Sequence, residues 1–370
     1  MNIAKMFKKN IYLIYIILII VCFILFSKRI LETFQVLETL QVPENFQNTE
    51  VYDIVIVAGQ SNAQGNGLQY FTPNYRGMVR GTIDEPLYND VYFQNDKNNT
   101  ERPRNDSLRN KIYQLTKDNN VVVASDPIDH FPETLVKYKQ NPHGFGIPFA
   151  RQYVKEKNKN VLLLGCAMGS TAYLYYGPAN GGSAVSGKNF GWQEGDPSKP
   201  ICDGNRCSLF KMSKLRLDNL ATKVSPNSRV VAILWHQGEN DYNAINNGRS
   251  NYKNGVSNML KNLRLYAKTK FPSSDANFPV LLGGLSPKEN DYYSRMTPVI
   301  RELVNENRSF NFRFVPSDRS LGSQISKFNQ DLRPNNRSDF GGKVHFSRMA
   351  QIEFGYRYYY VFNNNSINFN

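Results

Sequence analysis

Three short apolar runs, each closed by a glycine or by a polar cluster, constrain this chain more than any other feature. Residues 53–58 are largely β-branched and stop at Gly59, residues 161–164 stop at Gly165, and residues 230–235 run straight into His236 and Gln237. Runs of this length without a polar face belong to strands buried on both sides, which occur in parallel sheets covered by helices. Residues 121–124, 280–282 and 312–315 read as further strands, and apolar residues at helical spacing mark helices over 147–156, 209–224, 251–270, 298–307 and 349–362. The alternation predicts an α/β domain built on an open parallel sheet with helices on both faces. Two insertions, 70–120 and 173–208, break the rhythm. Both leave from carboxyl ends of strands, the edge where α/β sheets bind ligands, so they are expected to shape a substrate cleft.

The N-terminus carries a separate signal. Residues 11–26 are unbroken apolar, preceded by Lys5, Lys8 and Lys9 and followed by Lys28 and Arg29. Roughly 20 residues are needed to span a hydrocarbon core about 30 Å thick. Snorkelling lysines and local thinning close the small gap. A cleavable signal peptide is the alternative, but Ser27-Lys28-Arg29-Ile30 lacks the small residues of a cleavage site. The expected layout is a short cytoplasmic tail over 1–10, a transmembrane signal anchor over 11–27, a stalk over 28–50, the α/β domain over 51–362 and a polar tail over 363–370. The domain is then extracytoplasmic, or secreted if the anchor is cleaved.

The formal charge of +14 invites a nucleic-acid reading, but the Lys and Arg residues are scattered and accompany no nucleic-acid motif, so no such partner is expected. Of the four cysteines, Cys22 and Cys166 lie in apolar runs and read as small hydrophobes. Cys202 and Cys207 close a short Asp-Gly-Asn-Arg loop, a candidate disulfide in an oxidising compartment. A metal site would need further ligands nearby, and no metal or other cofactor is called for. Sequons at Asn98, Asn105, Asn307, Asn336 and Asn364 are matters of chance in so Asn-rich a chain.

Four polar clusters carry the chemistry. Gly59-Gln60-Ser61-Asn62-Ala63-Gln64-Gly65 follows the first strand. A sharp strand-to-helix turn there exposes the Ser61 hydroxyl and aims backbone N–H groups at one point. A hydroxyl is a weak nucleophile until a base takes its proton. Gly165-Cys166-Ala167-Met168-Gly169-Ser170-Thr171 follows a second strand and offers the Gly169 N–H. Trp235-His236-Gln237-Gly238-Glu239-Asn240-Asp241 follows a third and brings an amide and carboxylates to the same edge. Lys343-Val344-His345-Phe346-Ser347 stands just before the last helix and supplies a base. His130 and His143 fall in loops and read as solvated, with His143 also able to border the cleft. Trp192 and Tyr173, Tyr175 and Tyr176 suit either sugar stacking or, more simply, packing.

These clusters resemble the sialate O-acetylesterase and acetylxylan-esterase-like branch of the SGNH hydrolases, which includes carbohydrate esterase family 6. The specific blocks are A-G-Q-S-N at residues 58–62 and W-H-Q-G-E-x-D at residues 235–241, with Gly169-Ser170-Thr171 and His345-Phe346 matching two further blocks. The resemblance covers nearly everything beyond the stalk. It implies a flavodoxin-like three-layer sandwich with a central parallel sheet of about five strands. It also implies a serine esterase that removes O-acetyl groups from sialic acid- or xylan-like carbohydrate through an acetyl-enzyme. By the same resemblance Ser61 is the nucleophile and His345 the base, and the oxyanion hole comprises the N–H groups of Ser61 and Gly169 with the Gln237 side chain. Gln60, Asn62, Thr171 and His236 then surround the substrate, His236 in a largely structural role. One departure matters: the acid often found three residues before the catalytic histidine is here Gly342. Asp339 and Glu239 stand as equal candidates to orient the His345 ring, with Asp241 behind them. Gly342 also motivates a second reading, a catalytically impaired descendant that binds glycans or acts structurally at a surface.

Overall fold

The computed structural model describes residues 50–65, 108–132, 143–175, 187–287, 291–320, 331–332 and 344–364. Residues 49–370 form one compact unit. In chain order its elements are β1 (Asp53–Gly59), the one-turn helix α1 (Ser61–Gln64), β2 (Ile112–Leu115), β3 (Val121–Val123), α2 (Gly146–Lys157), β4 (Val161–Ala167), β5 (Asn189–Gly191), β6 (Cys202–Asp203), β7 (Arg206–Ser208), α3 (Leu209–Ala221), β8 (Arg229–His236), α4 (Ile245–Lys270), β9 (Val280–Gly283), α5 (Asp291–Glu306), β10 (Phe312–Val315) and α6 (Arg348–Asn363).

The main sheet has seven strands in the order β10-β9-β8-β1-β4-β2-β3, parallel except for the edge pair β2–β3. About five parallel strands were expected. The additional strand is β2, inside the stretch assigned to an insertion: its Ile-Tyr-Gln-Leu run is short and carries a buried Gln114, so neither length nor apolarity marks it. Helix α4 likewise starts six residues before the expected position. Among the described residues no helix is long and apolar enough to cross a membrane, and the apolar run at 11–26 lies outside them.

Alternation along β1 divides the core in two, because successive side chains of a strand point to opposite faces. Ile54, Ile56 and Ala58 join one core with Leu217, Leu260, Leu263 and Leu303 of α3, α4 and α5. Val55 and Val57 join the other with Phe149, Phe354 and Tyr358 of α2 and α6. Each fully buried aliphatic or aromatic side chain stabilises the fold by about 1.5–3 kcal/mol, so this double-sided strand anchors all three layers. At its amino end Asp53 accepts from Arg229 Nε at 2.6 Å and from the Tyr153 hydroxyl at 2.7 Å, tying β1 to β8 and α2.

The second insertion folds into a small sheet, β5-β7-β6, whose hairpin is closed by a Cys202–Cys207 disulfide. Asn307 is buried and its Nδ2 donates to Leu303 O, so that sequon is no glycosylation acceptor; Asn98, Asn105 and Asn336 lie outside the described residues.

Candidate active site

Three of the four polar clusters converge because the carboxyl ends of β4, β1 and β8 are in register: Gly59 pairs with Ala167 on one side and His236 on the other. Gly59 has φ +133°, and a Cβ there would stand 2.0 Å from His236 O. No side chain fits, and the strand can therefore turn sharply into α1, with Gln60 N donating to His236 O at 3.0 Å. Gly65, at φ +101°, ends α1 after a single turn. Ser61 is the first residue of that turn.

The fourth cluster arrives from the far end of the sequence. Ser347 caps α6 by accepting from Ala350 N at 3.2 Å, which fixes where the chain enters the helix and thereby where His345 lies. His345 Nε2 stands 2.8 Å from Ser61 Oγ, across 284 residues of sequence. That separation suits proton transfer from a hydroxyl to an imidazole, which needs about 2.6–3.2 Å.

Glu239 is buried and meets Asn62, the residue that follows Ser61. Its Oε1 accepts from Asn62 Nδ2 at 2.7 Å. Burial pushes its carboxyl up to about 7, opposed by hydrogen bonds from its own backbone and Asn62 and by the field of His345. Glu239 thus acts on His345 through space, while Asp339 lies outside the described residues. Asp241 has a separate position: it accepts from Tyr173 N, Leu174 N and Gln237 Nε2 and fastens the loop after β4 to the loop after β8. Burial raises it to about 6.

Two of the three expected oxyanion donors, Gly169 N and the Gln237 side chain, are engaged within the protein. Gly169 N donates to Gln64 Oε1 at 2.8 Å. Gln237 Nε2 donates to Thr171 O at 3.3 Å as well as to Asp241, and Gln237 Oε1 accepts from the Tyr252 hydroxyl at 3.1 Å. The Ser61 N–H lies in the first turn of a helix, where no intrahelical acceptor exists.

The residues expected around the substrate are all buried. Thr171 Oγ1 donates to Met168 O and accepts from Trp192 Nε1. His236 is ringed by Phe145, Phe346 and Phe354 and held well below the usual range, at about 4, by burial. Its Nε2 faces Gly284 O at 3.2 Å; a carbonyl only accepts, so Nε2 carries the proton and Nδ1 is bare. Gln60 Oε1 is buried with no hydrogen-bond partner among the described residues. His130 and His143, read as solvated, are buried instead. His130 Nδ1 accepts from Ala167 N, which supports β4, and His143 Nδ1 pairs with Asp126 at 3.2 Å. Trp192 packs edge-on against Trp235 in the core, Tyr175 is exposed, and Tyr176 lies outside the described residues. Sequence reasoning missed Gln64 and Gln351. Gln64 stands three residues after Ser61 on the same turn, a spacing that could have drawn attention to it. Gln351 carried no such mark. Among the described residues no group of three or more His, Cys, Asp or Glu side chains could hold a metal.

Residues 51–364 match the family model described as carbohydrate esterase, sialic acid-specific acetylesterase. The fold is shared with NanS (15% identity, TM-score 0.53) over 85% of this chain and 98% of that one. It is shared to the same extent of both chains with a protein from Arabidopsis thaliana (18% identity, TM-score 0.51). No curated protein sequence matches the chain.

Proposed function

Because the chain belongs to the carbohydrate esterase, sialic acid-specific acetylesterase family, we propose that it is a serine-dependent O-acetylesterase acting on acetylated carbohydrate. The observation that carries this reading is the 2.8 Å approach of His345 Nε2 to Ser61 Oγ at the carboxyl end of the central strand. Ser61 Oγ attacks the ester carbonyl carbon as its proton passes to Nε2. The tetrahedral oxyanion faces the Ser61 N–H and, once Gln64 Oε1 gives way, the Gly169 N–H. Collapse breaks the bond to the sugar oxygen, which takes the proton from His345, and leaves acetyl on Ser61. Water activated by the same imidazole then releases acetate. Glu239, with Asp339 as the other candidate, supplies the negative charge that favours the imidazolium.

Hydrolysis of p-nitrophenyl acetate by the purified domain tests the proposal. Wild type should turn the ester over, and Ser61→Ala should lose at least about a thousandfold in kcat with an unchanged circular dichroism spectrum. Turnover by Ser61→Ala at the wild-type rate sinks the assignment. The engagement of Gly169 N and Gln237 Nε2 within the protein favours the second reading, an impaired glycan-binding descendant, and an inactive wild type would support it. The reading also includes residues 11–27 as a membrane anchor with the domain extracytoplasmic, supported by the length of the apolar run and its flanking lysines. Protease added outside intact cells should then digest the domain, whereas full protection would refute that orientation.

A further inference from the structure

Asn62 directly follows Ser61, and the resemblance assigned it to the substrate. Its side chain is 0% exposed, and every hydrogen-bonding position it has is filled from within the protein. Nδ2 donates to Glu239 Oε1 at 2.7 Å and to Val344 O at 3.1 Å. Oδ1 accepts from Phe346 N at 3.1 Å and from Gln351 Nε2 at 3.1 Å. An amide has two donors and two acceptor lone pairs, so nothing remains for a sugar. The partners also fix which way the amide faces: Glu239 and Val344 O present oxygens, Phe346 N and Gln351 Nε2 present protons, and a flipped amide would set like against like. Gln351 holds the backbone too, donating to Asn62 O at 3.2 Å.

The two backbone partners, Val344 O and Phe346 N, flank His345. Asn62 therefore straddles the histidine as a neighbouring strand would, and its own backbone is joined covalently to Ser61. The path from nucleophile to base runs through one peptide bond and two hydrogen bonds, the one to Phe346 N buried and the one to Val344 O partly buried. We propose that Asn62 is a positioning residue that holds His345 against Ser61, with Glu239 and Gln351 orienting its amide, and that it does not hold the sugar. The inference rests on the Ser61–His345 reading above.

Asn62→Asp keeps the size but sets an acceptor against Glu239 and Val344 O. Displacing a catalytic group by about 1 Å costs on the order of a hundredfold. The expected result with p-nitrophenyl acetate is a kcat about a hundredfold lower and a KM within about twofold of wild type. The acidic limb of the kcat/KM profile should move to higher pH, because the new carboxylate lies beside His345 and favours its protonated form. Adding Glu239→Gln to Asn62→Asp restores a donor to that contact and should recover about tenfold. A mere loss of folded protein would produce neither the shifted limb nor the rescue. A raised KM with kcat held makes Asn62 a substrate ligand and overturns the proposal, as does wild-type kinetics. If Asn62→Asp does not fold, Gln351→Met, which removes only the donor to Asn62, should lower kcat about tenfold at constant KM, and an unchanged kcat there overturns it. Ser61→Ala, assayed in parallel, separates the two levels. If it is inactive while Asn62→Asp is normal, only the positioning role fails; if it is active, both fail.

Discussion

Replacing Glu239 by Gln sets stability against activity at one buried atom pair. In the fold this carboxyl titrates at about 7, chiefly because burial opposes ionisation, against an ordinary value of 4.5. Each pH unit between those values is worth about 1.4 kcal/mol, so ionised Glu239 costs the native state about 3 kcal/mol. The sign follows from the raised value. The carboxyl imposes no penalty well below pH 4.5, where it is protonated folded and unfolded, and the penalty grows as pH rises through about 7. Gln keeps the oxygen that accepts from Asn62, but it places an N–H where Oε2 has no partner among the described residues, a cost of about 1–3 kcal/mol. That cost is the same at every pH, so the informative quantity is the change in the difference between variant and wild type. Urea unfolding at pH 4 and pH 8 should show Glu239→Gln gaining about 3 kcal/mol relative to wild type across the interval. Activity should move the other way, with kcat about tenfold lower at pH 8, because the His345 imidazolium loses a neighbouring negative charge. A stability difference that is flat with pH, or that favours wild type as pH rises, refutes the argument that burial holds Glu239 near neutrality.

Two further perturbations follow from the geometry. Gly59→Ala drives a Cβ to 2.0 Å from His236 O at a φ of +133°; unfolding free energy should fall by at least about 4 kcal/mol, and a loss below about 1 kcal/mol would show that the strand end can yield. Reducing the Cys202–Cys207 disulfide, whose partners are 5 residues apart, opens only a small loop; the melting measurement with and without reductant should register about 2 kcal/mol, and no change would mean that the hairpin holds itself.

The sequence by itself determined the alternation of elements, the strands that form the centre of the sheet, and the four clusters that meet at its edge. These are legible because burial imposes a local period and because a strand that must stop sharply ends in glycine, as β1 does at Gly59. Ser61 drew notice because it follows such an end in company with three other polar clusters, and its pairing with His345 came from the resemblance of those clusters to a known esterase branch. The helix starts, β2 with its buried Gln114, and the burial of His130 and His143 were not legible, since short or polar runs take their environment from what packs over them. Nor could the sequence show that Asn62 faces inward. Its four partners come from residues 239, 344, 346 and 351, and they reach it only because β1 and β8 pair in one register and α6 returns over the sheet. The same holds for protonation. Glu239 and Asp241 are ordinary carboxylates in sequence, and only the tertiary structure removes the water that would have kept them so.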